Sequence, residues 1–181
     1  MTIKVAAIGT GNVGRHALAQ LINDPQYELT GVWVSSESKA GKDAGELAGL
    51  DVSTGVTATT DLDAILAGAP DCAVYTAMAD NRLPEALEDY RRILAAGVNV
   101  VGSSAVFLQY PWQVLPDELV KPIEEATQAG QSSVFVNGID PASPMTWCRS
   151  RWRAPASASS RCGAWRSSTT TPTTAPPSCS T

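Results

Sequence analysis

Residues 3–16 read Ile-Lys-Val-Ala-Ala-Ile-Gly-Thr-Gly-Asn-Val-Gly-Arg-His, and this stretch decides the fold. A short apolar run leads directly into Gly9-x-Gly11-x-x-Gly14, and a helical pattern of apolar residues follows. A strand, a glycine turn and a helix in that order predict a binding site for the diphosphate of a dinucleotide. Glycine-rich loops also occur as plain structural turns, but here both flanking elements that the motif requires are present.

Each glycine of the motif has a separate predicted task. Gly9 permits the tight turn, Gly11 has no Cβ to keep a diphosphate away from the backbone, and Gly14 lets the helix pack closely on its strand. The free N–H groups and the positive end of the helix dipole then face the phosphates. The residues predicted to bind the dinucleotide in this loop are Gly9, Thr10, Gly11, Asn12, Val13 and Gly14.

Residues 1–141 alternate strand-like apolar runs with helical patterns, which predicts an α/β fold with a doubly wound parallel sheet of the Rossmann type. The predicted strands are 3–8, 28–34, 56–58, 72–76, 98–101 and 133–136. The predicted helices are 13–23, 62–67 with Thr60 and Asp61 as caps, 83–96 ending at Gly97, and 117–129 ending at Gly130. Six strands with intervening helices fill one domain of about this size.

Ligands of such a sheet bind beyond the carboxyl ends of the strands, so the residues after each strand are candidates. Any one Gly, Ser or Thr at such a place is also an ordinary way to end a strand. Because the whole set shares one edge with the glycine motif, it predicts a single binding site. Beyond the glycine loop, the predicted members are Ser35, Ser36, Thr76, Ala77, Gly102, Ser103, Ser104 and Asn137.

The end of the second strand indicates which coenzyme is preferred. An Asp or Glu about 20 residues beyond the glycines usually binds the ribose 2′-hydroxyl of NAD. Here the sequence is Ser35-Ser36-Glu37-Ser38-Lys39, with no carboxylate at the strand end and Lys42 nearby. Hydroxyl and ammonium groups suit the extra phosphate of NADP, so NADP is the predicted cofactor, while Glu37 leaves NAD open.

Composition separates the last 40 residues from the rest of the chain. The chain of 181 residues has a formal charge of −5, and all 18 acidic residues precede residue 142. An acidic body argues against nucleic acid as a partner, since phosphate contacts need a basic face. The opening apolar run is too short for a membrane span or a signal peptide, so no membrane partner is expected. With Cys72 alone in the body, the predicted compartment is the reducing cytoplasm.

Residues 142–181 are predicted to form a low-complexity tail with no stable fold. They hold three Trp and three Cys among Ser, Thr, Pro, Ala and Arg, an unusual content for a natural disordered tail. Shifting the reading frame by one base around Pro141 gives a plausible protein sequence, which indicates an out-of-frame translation. A natural Ser/Thr/Pro-rich tail is the alternative. The tail cysteines are widely spaced without histidine partners, so no metal site is predicted.

Four segments together resemble the dihydrodipicolinate reductase family. They are Gly9-Thr-Gly-Asn-Val-Gly14, Gly41-Lys-Asp-Ala-Gly-Glu-Leu-Ala-Gly49, Val100-Val-Gly-Ser-Ser104 and Asn137-Gly-Ile-Asp-Pro141. The resemblance covers about 140 residues, and its closest branch looks like the diaminopentanoate dehydrogenase-like reductases. It implies an NAD(P)-dependent oxidoreductase that transfers hydride to or from an imine or amine carbon of a small amino-acid-like substrate. A homo-oligomer is left open.

The resemblance also implies where this chain departs from the family. The segment matching Val100–Ser104 approaches the nicotinamide in the family, but the reductases proper have Gly-Thr-Thr-Gly where this chain has Gly102-Ser-Ser-Ala105. Their catalytic His/Lys motif lies in a C-terminal domain that has no counterpart here, and His16 is badly placed to replace it. No catalytic residue is therefore predicted. The alternative is a truncated, catalytically incompetent fragment that still binds nucleotide.

Overall fold

The computed structural model describes residues 2–112 and 114–137. The predicted tail at 142–181 and the domain boundary at 141 lie outside the described residues. The strands are β1 Ile3–Ile8, β2 Tyr27–Trp33, β3 Ala58–Thr59, β4 Cys72–Tyr75, β5 Asn99–Gly102 and β6 Val134–Val136. The α-helices are α1 Asn12–Asn23, α2 Ala44–Ala48, α3 Leu62–Leu66, α4 Leu83–Ala95 and α5 Asp117–Gly130. Two 3-10 helices cover Glu37–Lys39 and Val106–Gln109.

The strands form one parallel sheet in the order β3-β2-β1-β4-β5-β6. From β1 the chain first moves outward through β2 to β3, then returns to the other side of β1 with β4. This reversal next to β1 is the switch point at which ligands bind in a doubly wound sheet. The prediction of a doubly wound, Rossmann-type α/β fold is confirmed.

The sheet is buried on both faces, which explains why β1 is a continuous apolar run and not an alternating one. Val5 and Ala7 belong to a core cluster that includes Leu18 of α1 and Ala44 of α2. Ala6 and Ile8, which alternate with them along β1, belong to a second cluster that includes residues of α3, α4 and α5. Helices therefore cover both faces of the sheet at β1.

Several predicted boundaries needed correction. The third strand is Ala58–Thr59 and not 56–58, because Thr57 instead forms an isolated antiparallel bridge with Asp43. The last helix includes Gly130, and its cap is Gln131, which takes the left-handed backbone conformation with φ 52°. The cap of α3 is Asp61, whose carboxylate accepts from the N–H of Asp63. The other predicted ends coincide with the observed ones or differ by one residue.

The short helix α2 was not predicted, and it is organised by Asp43. The carboxylate accepts the N–H of Gly45 at 2.8 Å, that of Gly55 at 2.9 Å and that of Thr54 at 3.0 Å. It thus caps α2 and also fixes the following loop. Gly45 is required there, because a Cβ would lie 1.8 Å from the carbonyl oxygen of Val52. These contacts account for the Asp-Ala-Gly-Glu-Leu-Ala-Gly segment.

Replacing Asp43 with Ala is expected to lower the melting temperature at pH 7 by several degrees, since a helix cap and a loop anchor are lost. The hydrogen bonds, that from the Thr54 N–H foremost, hold the pKa of Asp43 below its ordinary value of 3.8. A lowered carboxyl pKa gives stability that is present above the ordinary value and lost as the pH falls through the folded-state value. Thermal melts followed by circular dichroism should therefore show the two proteins converging only below pH 3.8.

The control is Asp51→Ala, which removes an exposed carboxylate from the same loop. This substitution should leave the melting temperature nearly unchanged both at pH 7 and below pH 3.8. A constant gap between Asp43→Ala and the original protein down to strongly acid pH would contradict the ionic origin of the effect.

Candidate functional site

A cleft of about 600 Å³ opens at the carboxyl ends of β1, β2, β4 and β5. Most predicted site residues line it: Gly9, Thr10, Gly11, Asn12, Val13, Ser35, Ser36, Thr76, Ala77, Ser103 and Ser104. The lining also includes residues that were not predicted as site members: Lys39, Met78, Ala79, Asp80, Asn81, Arg82, Ala105 and Val106. Gly14, Gly102 and Asn137 do not line it.

The glycine loop is fixed by its contacts with the end of β4. Gly9 has φ 99°, and a Cβ there would lie 2.6 Å from the backbone nitrogen of Ala77. A Cβ on Gly14 would lie 2.3 Å from the carbonyl oxygen of Gly9 and 2.6 Å from Thr76 Oγ1. The Thr76 hydroxyl donates to that carbonyl at 3.1 Å. Gly14 thus lies behind the loop, where it lets α1 approach the sheet, and this is the packing task predicted for it.

Gly11 is different, because the protein itself leaves space beside it. A Cβ on Gly11 would meet no heavy atom within 4 Å apart from its chain neighbours. As the N-cap of α1 it has φ −76° and ψ −163°, and it provides no side-chain cap for the first turn. The amides at this helix end are therefore available to an anion approaching from the cleft.

At the β2 end, Lys39 reaches across the cleft to the glycine loop. Its ammonium group donates to the carbonyl oxygen of Thr10 at 3.0 Å and to Thr10 Oγ1 at 3.3 Å. Glu37 does not line the cleft, and its carboxylate accepts from the Thr60 hydroxyl at 3.3 Å. Lys42 is paired with Glu46 of α2 and also lies away from the cleft. This end of the cleft therefore presents hydroxyls and one ammonium group.

The loop between β4 and α4 contributes a buried charge cluster. Asp89 of α4 is 9% exposed, and its Oδ2 accepts from the Tyr75 hydroxyl at 2.9 Å and from Arg82 Nη2 at 3.0 Å. Burial raises the pKa of Asp89, while the bonds from Tyr75 and Arg82 oppose that rise. Burial, followed by the nearby Asp89 charge, raises the pKa of Tyr75 far above its ordinary range. Arg82 thus lines the cleft while tied to a carboxylate beneath it.

The β5 end supplies Ser103 and Ser104. The Ser104 hydroxyl is shielded from solvent and makes no hydrogen bond within the described residues. Burial raises the pKa of Tyr90, and the nearby Ser104 hydroxyl opposes that rise. Gly102 packs behind the cleft, where a Cβ would lie 2.3 Å from the Tyr90 hydroxyl oxygen. The carbonyl of Gly102 accepts the N–H of Asn137 at 2.8 Å, which continues the ladder to β6.

Three further observations concern features outside the cleft. His16 is exposed on α1 and does not line it. Within residues 2–112 and 114–137, no group of His, Cys, Asp and Glu is arranged to hold a metal ion. Across the same residues, no helix combines the length and apolar character needed to span a bilayer.

The residues that were missed follow from the length of the β4–α4 loop. The sequence prediction stopped at Ala77, directly after the strand, although the loop continues along the cleft as far as Arg82. Pro84 in the first turn of α4 marks where that loop ends, so this proline was the available signal. Lys39 was noted in the sequence for its charge but was not among the predicted site residues, and the structure places it on the cleft.

A family model described as dihydrodipicolinate reductase, N-terminus, matches residues 3–104. An amine dehydrogenase of Streptomyces virginiae is 41% identical over 139 residues, which make up 77% of this chain and 38% of that protein. The chain therefore spans about two-fifths of the length of this relative.

Solved structures show the same architecture. Amine dehydrogenase from Mycobacterium smegmatis superposes with a TM-score of 0.67 and 26% identity, over 76% of this chain and 39% of that one. GenD2 from gentamicin A biosynthesis, solved in complex with NAD, gives a TM-score of 0.54 and 23% identity. That match covers 75% of this chain and 34% of GenD2, and at this identity it shows the fold alone.

The two glycines with opposite surroundings give a prediction about stability. Gly14→Ala should destabilise the protein by about 1–3 kcal/mol, because its methyl group overlaps backbone that must shift. Gly11→Asn should change stability by less than about 0.5 kcal/mol, since the site is open and Asn is a favourable N-cap. Urea unfolding followed by circular dichroism measures both. Equal losses in the two variants would contradict the close packing around Gly14 and the open space beside Gly11.

Proposed function

Because the chain belongs to the dihydrodipicolinate reductase N-terminal family, we propose that it is the nucleotide-binding part of a nicotinamide-dependent oxidoreductase. The reaction class is hydride transfer to or from the amine or imine carbon of an amino-acid-like molecule, as the amine dehydrogenase relatives suggest. The observation that carries the proposal is the open space at Gly11. The fold gives no steric reason for a missing side chain there, whereas a diphosphate resting on the first turn of α1 does.

The lining residues fit a dinucleotide. The diphosphate would be held by the loop from Gly9 to Val13, whose first-turn amides face the cleft. The adenosine half would lie toward Ser35, Ser36 and Lys39 at the β2 end, and the nicotinamide half toward Thr76 and Ser103. Ser104 lines the same end of the cleft. This placement of the two halves follows from the switch point beside β1, across which dinucleotides bind in doubly wound sheets.

In this proposal the chain's own residues bind and orient, and the bound nicotinamide supplies the hydride or receives it. Thr76 holds the glycine loop in place through its bond to the Gly9 carbonyl, which fixes the position of the diphosphate. Ser103 and Ala105 line the other end of the cleft, where the nicotinamide ring would lie.

We further propose NADP as the preferred coenzyme. Lys39 lines the β2 end of the cleft, where a 2′-phosphate would lie, and Glu37 points its carboxylate to Thr60 instead. Asp80 also lines the cleft, but it belongs to the loop after β4. An ammonium group favours a phosphate at that position by charge, whereas a carboxylate would favour a ribose hydroxyl.

Coenzyme binding tests the first proposal directly. The 181-residue chain is titrated with NADPH, followed by the fluorescence of the reduced nicotinamide. Gly11→Asn should raise the dissociation constant at least about tenfold, because the new side chain occupies the diphosphate position and competes for the first-turn amides. Affinity unchanged by this substitution would overturn the proposed site. Hydride transfer with amine substrates then separates a complete catalytic unit from a chain that binds coenzyme alone.

The preference for NADP depends on Lys39. Lys39→Ala should weaken NADPH binding by about tenfold and NADH binding by less than about threefold, because only NADPH loses a charged partner. Titration of each variant with both coenzymes gives the ratio. Lys42→Ala, which removes a nearby ammonium group away from the cleft, is the matched control and should alter neither affinity. Equal losses for NADPH and NADH would assign Lys39 to loop structure instead.

A further inference from the structure

The guanidinium group of Arg82 is held by two partners, the carboxylate of Asp89 and the ring of Trp33. Its Nη2 donates to Asp89 Oδ2 at 3.0 Å, and the guanidinium carbon lies 5.2 Å from the ring centre of Trp33. The ring is itself anchored, since Trp33 Nε1 donates to the carbonyl oxygen of Thr60 at 2.9 Å. A guanidinium held in this way has lost most of the freedom of a surface arginine.

The location of this group assigns it to one half of the cleft. Trp33 is the last residue of β2, and Ser35 and Ser36 follow it along the cleft. Arg82 lies in the loop after β4, directly before α4, and lines the same cleft, with its side chain 25% exposed. Because its guanidinium group lies over the ring of Trp33, Arg82 reaches from the loop after β4 toward the β2 side of the cleft.

A purely structural role accounts poorly for this arrangement. Burying a carboxylate costs free energy, and replacing a buried ion pair by apolar side chains is often neutral or stabilising. The pair does, however, hold a planar cation over the ring of Trp33, and the partly exposed Arg82 side chain also lines the cleft. Guanidinium groups stack on aromatic rings, and they do so best when their orientation is already set.

We propose that Arg82 is a coenzyme-binding residue that stacks on the adenine ring, with Asp89 and Trp33 as its positioning residues. This inference rests on the proposed function, because it requires a dinucleotide in the cleft. It adds a recognition element for adenine, separate from the diphosphate loop and from Lys39. It also explains why a carboxylate is kept beneath the cleft at the cost of its desolvation.

The test compares ligands that share or lack adenine. ADP-ribose, NADPH and NADH all carry the ring, whereas reduced nicotinamide mononucleotide does not. Arg82→Lys keeps the positive charge but removes the plane, so it should weaken all three adenine ligands by a similar factor of about tenfold. Its effect on the mononucleotide should be less than about twofold. Calorimetric titration of the 181-residue chain measures each affinity.

The control substitution is Arg91→Lys in α4, where Arg91 is exposed and paired with Glu88. It should change no affinity. Asp89→Asn should weaken ADP-ribose binding only while Arg82 is present, so the double variant should bind no worse than Arg82→Lys alone. If Asp89→Asn does not fold, Arg82→Lys carries the test by itself.

The possible results separate this inference from the proposed function. If the unmodified chain binds neither NADPH nor ADP-ribose, the proposed function fails. If it binds them and Arg82→Lys leaves ADP-ribose affinity unchanged, the adenine contact is wrong while the nucleotide site stands. If the loss is confined to NADPH, Arg82 contacts the 2′-phosphate and stacking is overturned.

Discussion

The close approach of α1 to the sheet is the constraint on which the site depends. Gly9, Gly14 and Thr76 meet at distances that leave no room for a Cβ on either glycine, and the Thr76 hydroxyl ties the loop to the end of β4. The glycine-rich turn after β1 is thereby held by the end of the neighbouring strand β4. Because the turn cannot move away from the sheet, the amides of the first helical turn are fixed in direction before any ligand arrives. Preorganisation of this kind reduces the ordering cost of binding.

The sequence was sufficient for the elements whose signals are local. β1 and α1 could be placed because a doubly buried strand is a continuous apolar run and because the glycines mark its end. α2 was missed since five residues are too few for helical periodicity, and its stability comes from Asp43 contacts to a loop ten or more residues later. Such contacts leave no periodic trace in the sequence.

The candidate site was predictable to a similar degree. Residues directly after a strand were found by the topology rule, and most of them line the cleft. Arg82 was not, because its place depends on Asp89 seven residues later and on Trp33 of another strand. A pattern read along the chain does not reveal which side chains meet across a sheet edge. Gly14 and Gly102 show the reverse, since both were predicted as site residues but pack behind the cleft.

The two cores on opposite faces of the sheet have a consequence for the glycine-rich turn. Val5 and Ala6 are adjacent in β1 but pack into different clusters, and β2 accommodates β1 through an irregularity in register between these two residues. Sliding β1 by one residue would exchange every side chain between the faces and carry Gly9 about 3.3 Å along the strand. The position of Gly9 along the sheet is therefore set by the side chains that are packed in the two cores. A core substitution that shifted the register of β1 would move the glycine-rich turn. It would thereby alter binding in the cleft without contacting the ligand.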